Sequence, residues 1–159
     1  MFISSKFHLK LKRGFSLVEL MVVVALLSIL AATVIPVAKV SFKRAKEIEL
    51  QRNLRIIRKA IDRYKEMADN HLIAVKFGTE GYPPDLECLV EGVELVNQPG
   101  KKMKFLRRIP YDPMTNSTEW GLRSYQDDPD SESWGGENVF DVYSQSREKA
   151  LNDTWYKDW

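Results

Sequence analysis

Residues 15–35 form a run of 21 residues with a single charged side chain, Glu19. As a helix, this run would be about 32 Å long, which is enough to cross the hydrocarbon core of a bilayer. A secretory signal peptide has a shorter apolar core that is followed by a small-residue cleavage site, and this segment has neither property. The run therefore predicts a membrane-spanning helix near the N-terminus, with a signal anchor as the ordinary interpretation.

A carboxylate inside a membrane helix costs on the order of 2.5–3.5 kcal/mol at the bilayer centre, so Glu19 requires a partner. Residues 12–19 read KRGFSLVE, and this string resembles the type III leader of type IV pilins and type II secretion pseudopilins. The resemblance implies that a prepilin peptidase cleaves between Gly14 and Phe15 and that Phe15 is then N-methylated. It also implies that Glu19 meets the N-terminal amine of a neighbouring subunit. Pro36 matches a helix-bending proline of the family, and a proline inside a helix removes one hydrogen bond.

The charges that flank the apolar run do not set its orientation in the membrane. Four bases precede the run and four follow it closely, so the positive-inside comparison is a tie. The resemblance alone implies a single-pass protein of the bacterial inner membrane with a periplasmic C-terminal domain. The bases are Lys6, Lys10, Lys12 and Arg13 before the run, and Lys39, Lys43, Arg44 and Lys46 after it.

Beyond Pro36, apolar residues recur at steps of four and three, which is typical of a helix that buries one stripe. We expect the helix to continue from Phe15 to about Asn70. The predicted organisation is a leader at 1–14, a transmembrane and filament-core helix at 15–37, and a periplasmic domain at 38–159. The predicted stripe consists of Leu50, Leu54, Ile57, Ile61, Tyr64 and Ala68.

The remainder of the chain predicts a small domain that contains strands. Residues 120–125 and 139–144 alternate like antiparallel strands, and 97–100 read as a turn. Asp85 is positioned to cap a short helix, on which Cys88 is a half-buried hydrophobe. The predicted fold class is α+β, with a long N-terminal helix packed on a small antiparallel β-sheet domain, as in pilins.

The order of motifs at 82–90, 108–113 and 140–144, followed by a terminal tryptophan, is similar to the major, G-type pseudopilin of type II secretion. The resemblance implies a subunit that polymerises with other pseudopilins on an inner-membrane assembly platform and drives proteins across the outer membrane. A type IV pilin for adhesion, motility or DNA uptake is the alternative. Many such pilins have a C-terminal disulfide, which a chain with one cysteine cannot form.

The resemblance to G-type pseudopilins also implies a calcium ion in the C-terminal loop. Carboxylates, hydroxyls and carbonyls are suitable ligands for this hard cation, and the candidates are Ser144, Asn152, Asp153 and Asp158. The loop departs from the family because residues 147–149 read REK, where a stretch rich in Gly and Asp is usual. A solvated acidic loop is the alternative there, and it is the preferred interpretation of the acidic residues 127–130.

Charge is divided unevenly along the chain. Residues 39–66 contain ten bases against four acids, and residues 110–159 contain eleven acids against four bases. The basic helix faces could bind DNA or anionic lipid, but we favour a solvated face that meets acidic surfaces of neighbouring subunits. Opposite charges at opposite ends favour head-to-tail assembly into a homo-oligomeric filament, and no nucleic acid partner is expected.

An enzymatic role is the third possibility. No phosphate-binding loop, CxxC or HExxH motif occurs in the sequence, and no nucleophile has an evident base. Asp112 and Asp141 could act as a catalytic pair only if folding brought them together. The sequence therefore predicts a structural subunit and not an enzyme.

Overall fold

The computed structural model describes residues 14–159, with the side chain of Thr33 excepted. The leader residues before Gly14, including Lys12 and Arg13, lie outside the described residues. The chain divides into two compact units, Met1–Val40 and Ser41–Trp159. Helix α1 runs from Leu17 to Asp69, which confirms the predicted long helix.

In the first unit, α1 is apolar around its whole circumference. An 18-residue stretch of the helix has a mean hydropathy of 2.7 and none of it is buried. Large side chains such as Leu17, Met21 and Ile29 expose about two thirds of their surface or more. A helix with this composition and length can span a bilayer. Pro36 lies inside the helix, and the bend expected there stays a prediction.

In the second unit, α1 buries one stripe of side chains. The stripe is the predicted one, because every residue assigned to it is at most 4% exposed. The spacing of four and three residues places these side chains on one helix face, where they form part of the core. They are Leu50, Leu54, Ile57, Ile61, Tyr64 and Ala68.

A short helix and a hairpin follow α1. Helix α2 (Glu87–Glu91) is followed by strands β1 (Val93–Leu95) and β2 (Gln98–Met103), which pair antiparallel. The turn predicted at 97–100 was wrong in position, because the turn lies at 96–97 and Pro99 belongs to β2. Proline is tolerated in an exposed edge strand, and all of β2 except Met103 is exposed.

Asp85 stabilises the start of α2 as predicted. Its Oδ1 accepts a hydrogen bond from the Cys88 amide at 2.7 Å. This bond satisfies one amide that has no partner within the helix. Cys88 is half-buried, also as predicted.

A second antiparallel pair consists of β3 (Gly121–Arg123) and β4 (Asp141–Tyr143), which lie within the two predicted strand segments. Gly121 is opposite Tyr143, and a Cβ atom at position 121 would lie 2.2 Å from the Tyr143 ring. Glycine is therefore required there. Two short antiparallel sheets and a long helix confirm the α+β fold. Besides the helix stripe, the core contains Leu89, Trp120, Val139, Val142 and Tyr156.

Candidate functional site

The predicted cleavage site lies immediately before α1. Gly14 and Phe15 precede the helix, and Phe15 is 81% exposed. A Cβ atom added at Gly14 would have nothing within 4 Å. No packing contact among the described residues therefore requires glycine at this position. Cleavage after Gly14 stays a prediction of the sequence.

Glu19 lies in the first turn of α1 and is exposed. The Leu20 amide donates to the Ser16 carbonyl at 3.0 Å, which closes that first turn. A carboxylate near a helix N-terminus interacts favourably with the unpaired amides there. In residues 14–159, no ion pair includes Glu19. The pairing of Glu19 with the N-terminal amine of a neighbouring subunit stays a prediction of the sequence.

Of the four candidate calcium ligands, Ser144 lies deepest in the protein. Its hydroxyl donates to Asp112 Oδ2 at 2.6 Å, and both residues are 0% exposed. The other carboxylate oxygen of Asp112 accepts from the Met114 amide at 2.8 Å. Both Asp112 oxygens and the Ser144 hydroxyl are therefore already used within the protein.

The other three candidate ligands are exposed and differ in their surroundings. Asn152 Oδ1 accepts from the Thr154 amide at 3.2 Å and from the Thr154 hydroxyl at 2.7 Å. Asp153 has a positive φ of 64°, and Asp158 belongs to a short 3-10 helix, Tyr156–Asp158. Calcium requires six to eight oxygens around one point. One of the four candidates is fully buried and three are exposed, and no cluster of acidic, His or Cys ligands for a metal occurs within residues 14–159. Calcium binding stays a prediction of the sequence.

Side chains of α1 contact the C-terminal loop. Lys43 Nζ donates to the Lys149 carbonyl at 2.5 Å, and the Leu151 amide donates to Glu47 Oε1 at 2.8 Å. Sequence reasoning missed both α1 residues in this role. Their spacing of four residues places them on one helix face, but nothing in the sequence indicates which loop lies beside that face.

Arg58 is a second link that the sequence analysis missed. Its guanidinium donates to Asp141 at 2.6 and 3.3 Å, to the Val142 carbonyl at 3.0 Å and to the Trp159 carbonyl at 2.7 Å. One α1 side chain thereby connects β4 with the C-terminal segment. An arginine has enough donors in a fixed plane for such an arrangement.

A basic groove lies between α1 and residues 105–111. Arg52, Arg107 and Arg108 line it, together with apolar atoms of Ile56 and Phe105. All three arginines are exposed. None of them forms an ion pair with another residue in the described part of the chain. The groove therefore presents positive charge beside an apolar surface.

The acidic segment 127–130 is ordered by Asp127. One Asp127 oxygen accepts from the amides of Ser124 at 2.7 Å and Gly135 at 3.1 Å. These two bonds lower the pKa of Asp127 from its ordinary value. Asp128 and Asp130 are exposed beside it. The loop is solvated, as predicted, but it also has a defined structure.

The residues considered for catalysis have other roles. Burial raises the pKa of the Cys88 thiol to about 12, which is the opposite of what a nucleophile needs. Asp112 interacts with Ser144, whereas Asp141 interacts with Arg58. The two aspartates that could act together only if folding paired them therefore have different partners.

Comparisons with known proteins agree with this description. A family model for the prokaryotic N-terminal methylation motif matches residues 9–35. The type II secretion system core protein G of Pseudomonas aeruginosa is 34% identical over 109 residues, which cover 67% of this chain and 71% of that protein. No solved structure matches.

Proposed function

The chain belongs to the family of the type II secretion system core protein G, and from this membership we propose how its described surfaces serve a secretion filament. It is a pseudopilin of type II secretion. The observation that carries this conclusion is the methylation motif at 9–35, within which helix α1 begins at Leu17 with Glu19 in its first turn. The type IV pilin alternative is not favoured, because the relative is a secretion protein.

The first unit acts as the anchor and the assembly element. Its exposed apolar helix anchors the chain in the inner membrane, and the domain that follows lies in the periplasm. A prepilin peptidase cuts after Gly14, which leaves Phe15 as a methylated first residue. In a filament core, Glu19 pairs with the N-terminal amine of a neighbouring subunit, so that both charges are neutralised where water is excluded.

The second unit supplies a polar contact between subunits. The basic groove has three arginines without an intramolecular ion pair, and the acidic segment has two exposed aspartates that are also unpaired in the described structure. We place the acidic segment of one subunit against the basic groove of the next. A contact between two different surfaces joins subunits head to tail, and it generates an open filament when the rotation between neighbours does not close a ring.

This role is structural and not catalytic. The relative is named as a core protein of a secretion system. The half-buried thiol of Cys88, with its raised pKa, and the hydrogen-bonded carboxylates of Asp112 and Asp141 support the same assignment.

Deletion of the gene, with complementation by the wild-type chain, tests the assignment to secretion. We expect extracellular proteins to accumulate in the periplasm of the deletion strain while surface motility is unchanged. Loss of motility with normal secretion would instead indicate a type IV pilin.

A charge exchange tests the contact between subunits. Arg107→Glu should reduce cross-linked oligomers in membranes, and a second substitution, Asp128→Lys, should restore part of the loss. Lys101→Glu serves as the control, because it makes the same change of charge at an exposed base of β2 that lies outside the groove. Equal oligomer yields from Arg107→Glu and Lys101→Glu would refute the contact.

A further inference from the structure

The C-terminal loop forms a turn that is closed by its own main chain. The Ala150 amide donates to the Thr154 carbonyl at 2.8 Å, and the Asp153 amide donates to the Ala150 carbonyl at 3.1 Å. Lys149 and Trp155 form a β-bridge at its base. The Lys149 carbonyl and the Leu151 amide, on either side of buried Ala150, bond to α1.

The two α1 side chains match these loop groups in charge. The Lys43 ammonium donates to a carbonyl, and the Glu47 carboxylate accepts from an amide. Hydrogen bonds in which one partner is ionised are shorter and about twice as strong as neutral ones. Both side chains are half-buried, whereas their loop partners Lys149 and Leu151 are exposed, so solvent still weakens these two bonds.

Tyr156 contacts the same two α1 residues, Lys43 and Glu47. Its hydroxyl donates to Glu47 Oε1 at 2.9 Å, and Lys43 Nζ lies 5.9 Å from the centre of its ring. The side chain is 0% exposed. Burial and the hydrogen bond to Glu47 raise the pKa of Tyr156, so the phenol stays protonated as a donor at neutral pH.

These contacts occur where the sequence departs from the pattern that its resemblance to G-type pseudopilins implies. Lys149 belongs to the REK segment at 147–149, which stands where a stretch rich in Gly and Asp is usual in G-type pseudopilins. Residues 14–159 contain no cluster of acidic, His or Cys side chains that could hold a metal ion. Of the candidate calcium ligands, Ser144 is fully buried against Asp112, whereas Asn152 and Asp158 are exposed.

We propose that Lys43, Glu47 and Tyr156 fasten the C-terminal loop to α1 in this chain and so perform the role that the family resemblance assigns to calcium. The positive charge that attracts a loop carbonyl is then an ammonium of the chain itself. The domain should consequently keep its stability when divalent cations are removed.

The first test uses the full chain in detergent micelles and needs no variant. Thermal unfolding is followed by near-ultraviolet circular dichroism in excess EDTA and again after an excess of calcium chloride is added. We expect one melting temperature in both conditions. A lower melting temperature in EDTA that calcium restores would overturn the proposal, whatever the outcome of the secretion experiment.

The second test removes the fastening groups and compares each variant with a neighbour of the same charge. Lys43→Ala and Glu47→Ala should lower the melting temperature by several degrees and increase amide exchange at Leu151. Lys46→Ala and Glu49→Ala change exposed residues of the same helix segment and should leave both quantities unchanged. Identical behaviour of the two pairs would also overturn the proposal.

Discussion

The two parts of helix α1 share a backbone conformation but differ in what their side chains do. In the first unit, apolar residues cover every face and are exposed, as Ile29 is at 64%. In the second unit, polar residues cover most faces, and a single apolar stripe is buried, as Ile57 is at 0%. The same secondary structure therefore serves two environments, and the distribution of apolar residues around the helix determines which one.

This difference separates the α1 residues that stabilise the domain from those that can contact other molecules. The stripe in the second unit belongs to the core of the domain. None of the most apolar stretch in the first unit is buried, so its side chains are available to lipid and to other subunits. Substitutions of apolar residues in the first unit should therefore leave the free energy of unfolding almost unchanged, whereas substitutions in the buried stripe of the second unit should lower it.

The largest expected effect is on leader removal. Gly14→Leu should abolish cleavage, whereas the wild-type chain should be found by mass spectrometry to begin at a methylated Phe15. Folding should be unaffected, because a side chain at position 14 has open space. Ser5→Leu, also in the predicted leader, serves as the control. A chain of mature mass from Gly14→Leu would refute the cleavage site.

The same substitution at the two matched isoleucines measures the difference between the parts of α1 directly. Ile57→Ala should lower the free energy of unfolding by about 2–5 kcal/mol, because it leaves a cavity in the core. Ile29→Ala should change it by less than about 0.5 kcal/mol, since the side chain is exposed. Thermal unfolding of the full chain in detergent provides both values. Similar losses of stability from the two variants would contradict the conclusion that only the second part of α1 contributes side chains to the core.

A smaller effect is expected at Arg58, which links α1 to β4 and to the C-terminal segment. Arg58→Lys should lower the free energy of unfolding by about 1–2 kcal/mol, because an ammonium cannot reproduce the planar set of bonds. The side chain is 36% exposed, so solvent screening reduces the contribution of the charge itself. Arg55→Lys removes one bond within the helix and should have almost no effect. An equal loss of stability from Arg58→Lys and Arg55→Lys would show that the bonds of Arg58 do not stabilise the domain.

The smallest effect is local and depends on pH. The pKa of Asp127 is lowered in the folded chain, so its hydrogen bonds stabilise the loop fully above the ordinary value of 3.8 and are lost as the pH falls through the folded value. The amide resonances of Ser124 and Gly135 should therefore titrate with a midpoint below 3.8. Asp127→Asn should remove this titration. A midpoint at or above the ordinary value would contradict the hydrogen-bond assignment.

The features that the sequence predicted correctly depend on local pattern. The buried stripe from Leu50 to Ala68 was predictable from helical spacing. The hydrogen bond of Asp85 to the start of α2 was predictable because an aspartate just before a short helix commonly accepts from its first amides. Contacts that join distant segments were not predictable: Lys43 lies 106 residues from its acceptor, and Arg58 lies 83 residues from Asp141. The turn predicted at 97–100 was wrong in position because proline, although typical of turns, is also tolerated in an exposed edge strand, where Pro99 lies.

We propose that assembly of the filament core requires Glu19 in the first unit and that the second unit folds without this charge. Glu19→Gln tests both parts at once, because it removes the charge with little change in shape. We expect membrane insertion and the melting temperature of the domain to be unchanged, while cross-linked oligomers are lost from membranes. A normal ladder of oligomers, or a domain that unfolds at a lower temperature, would contradict the account.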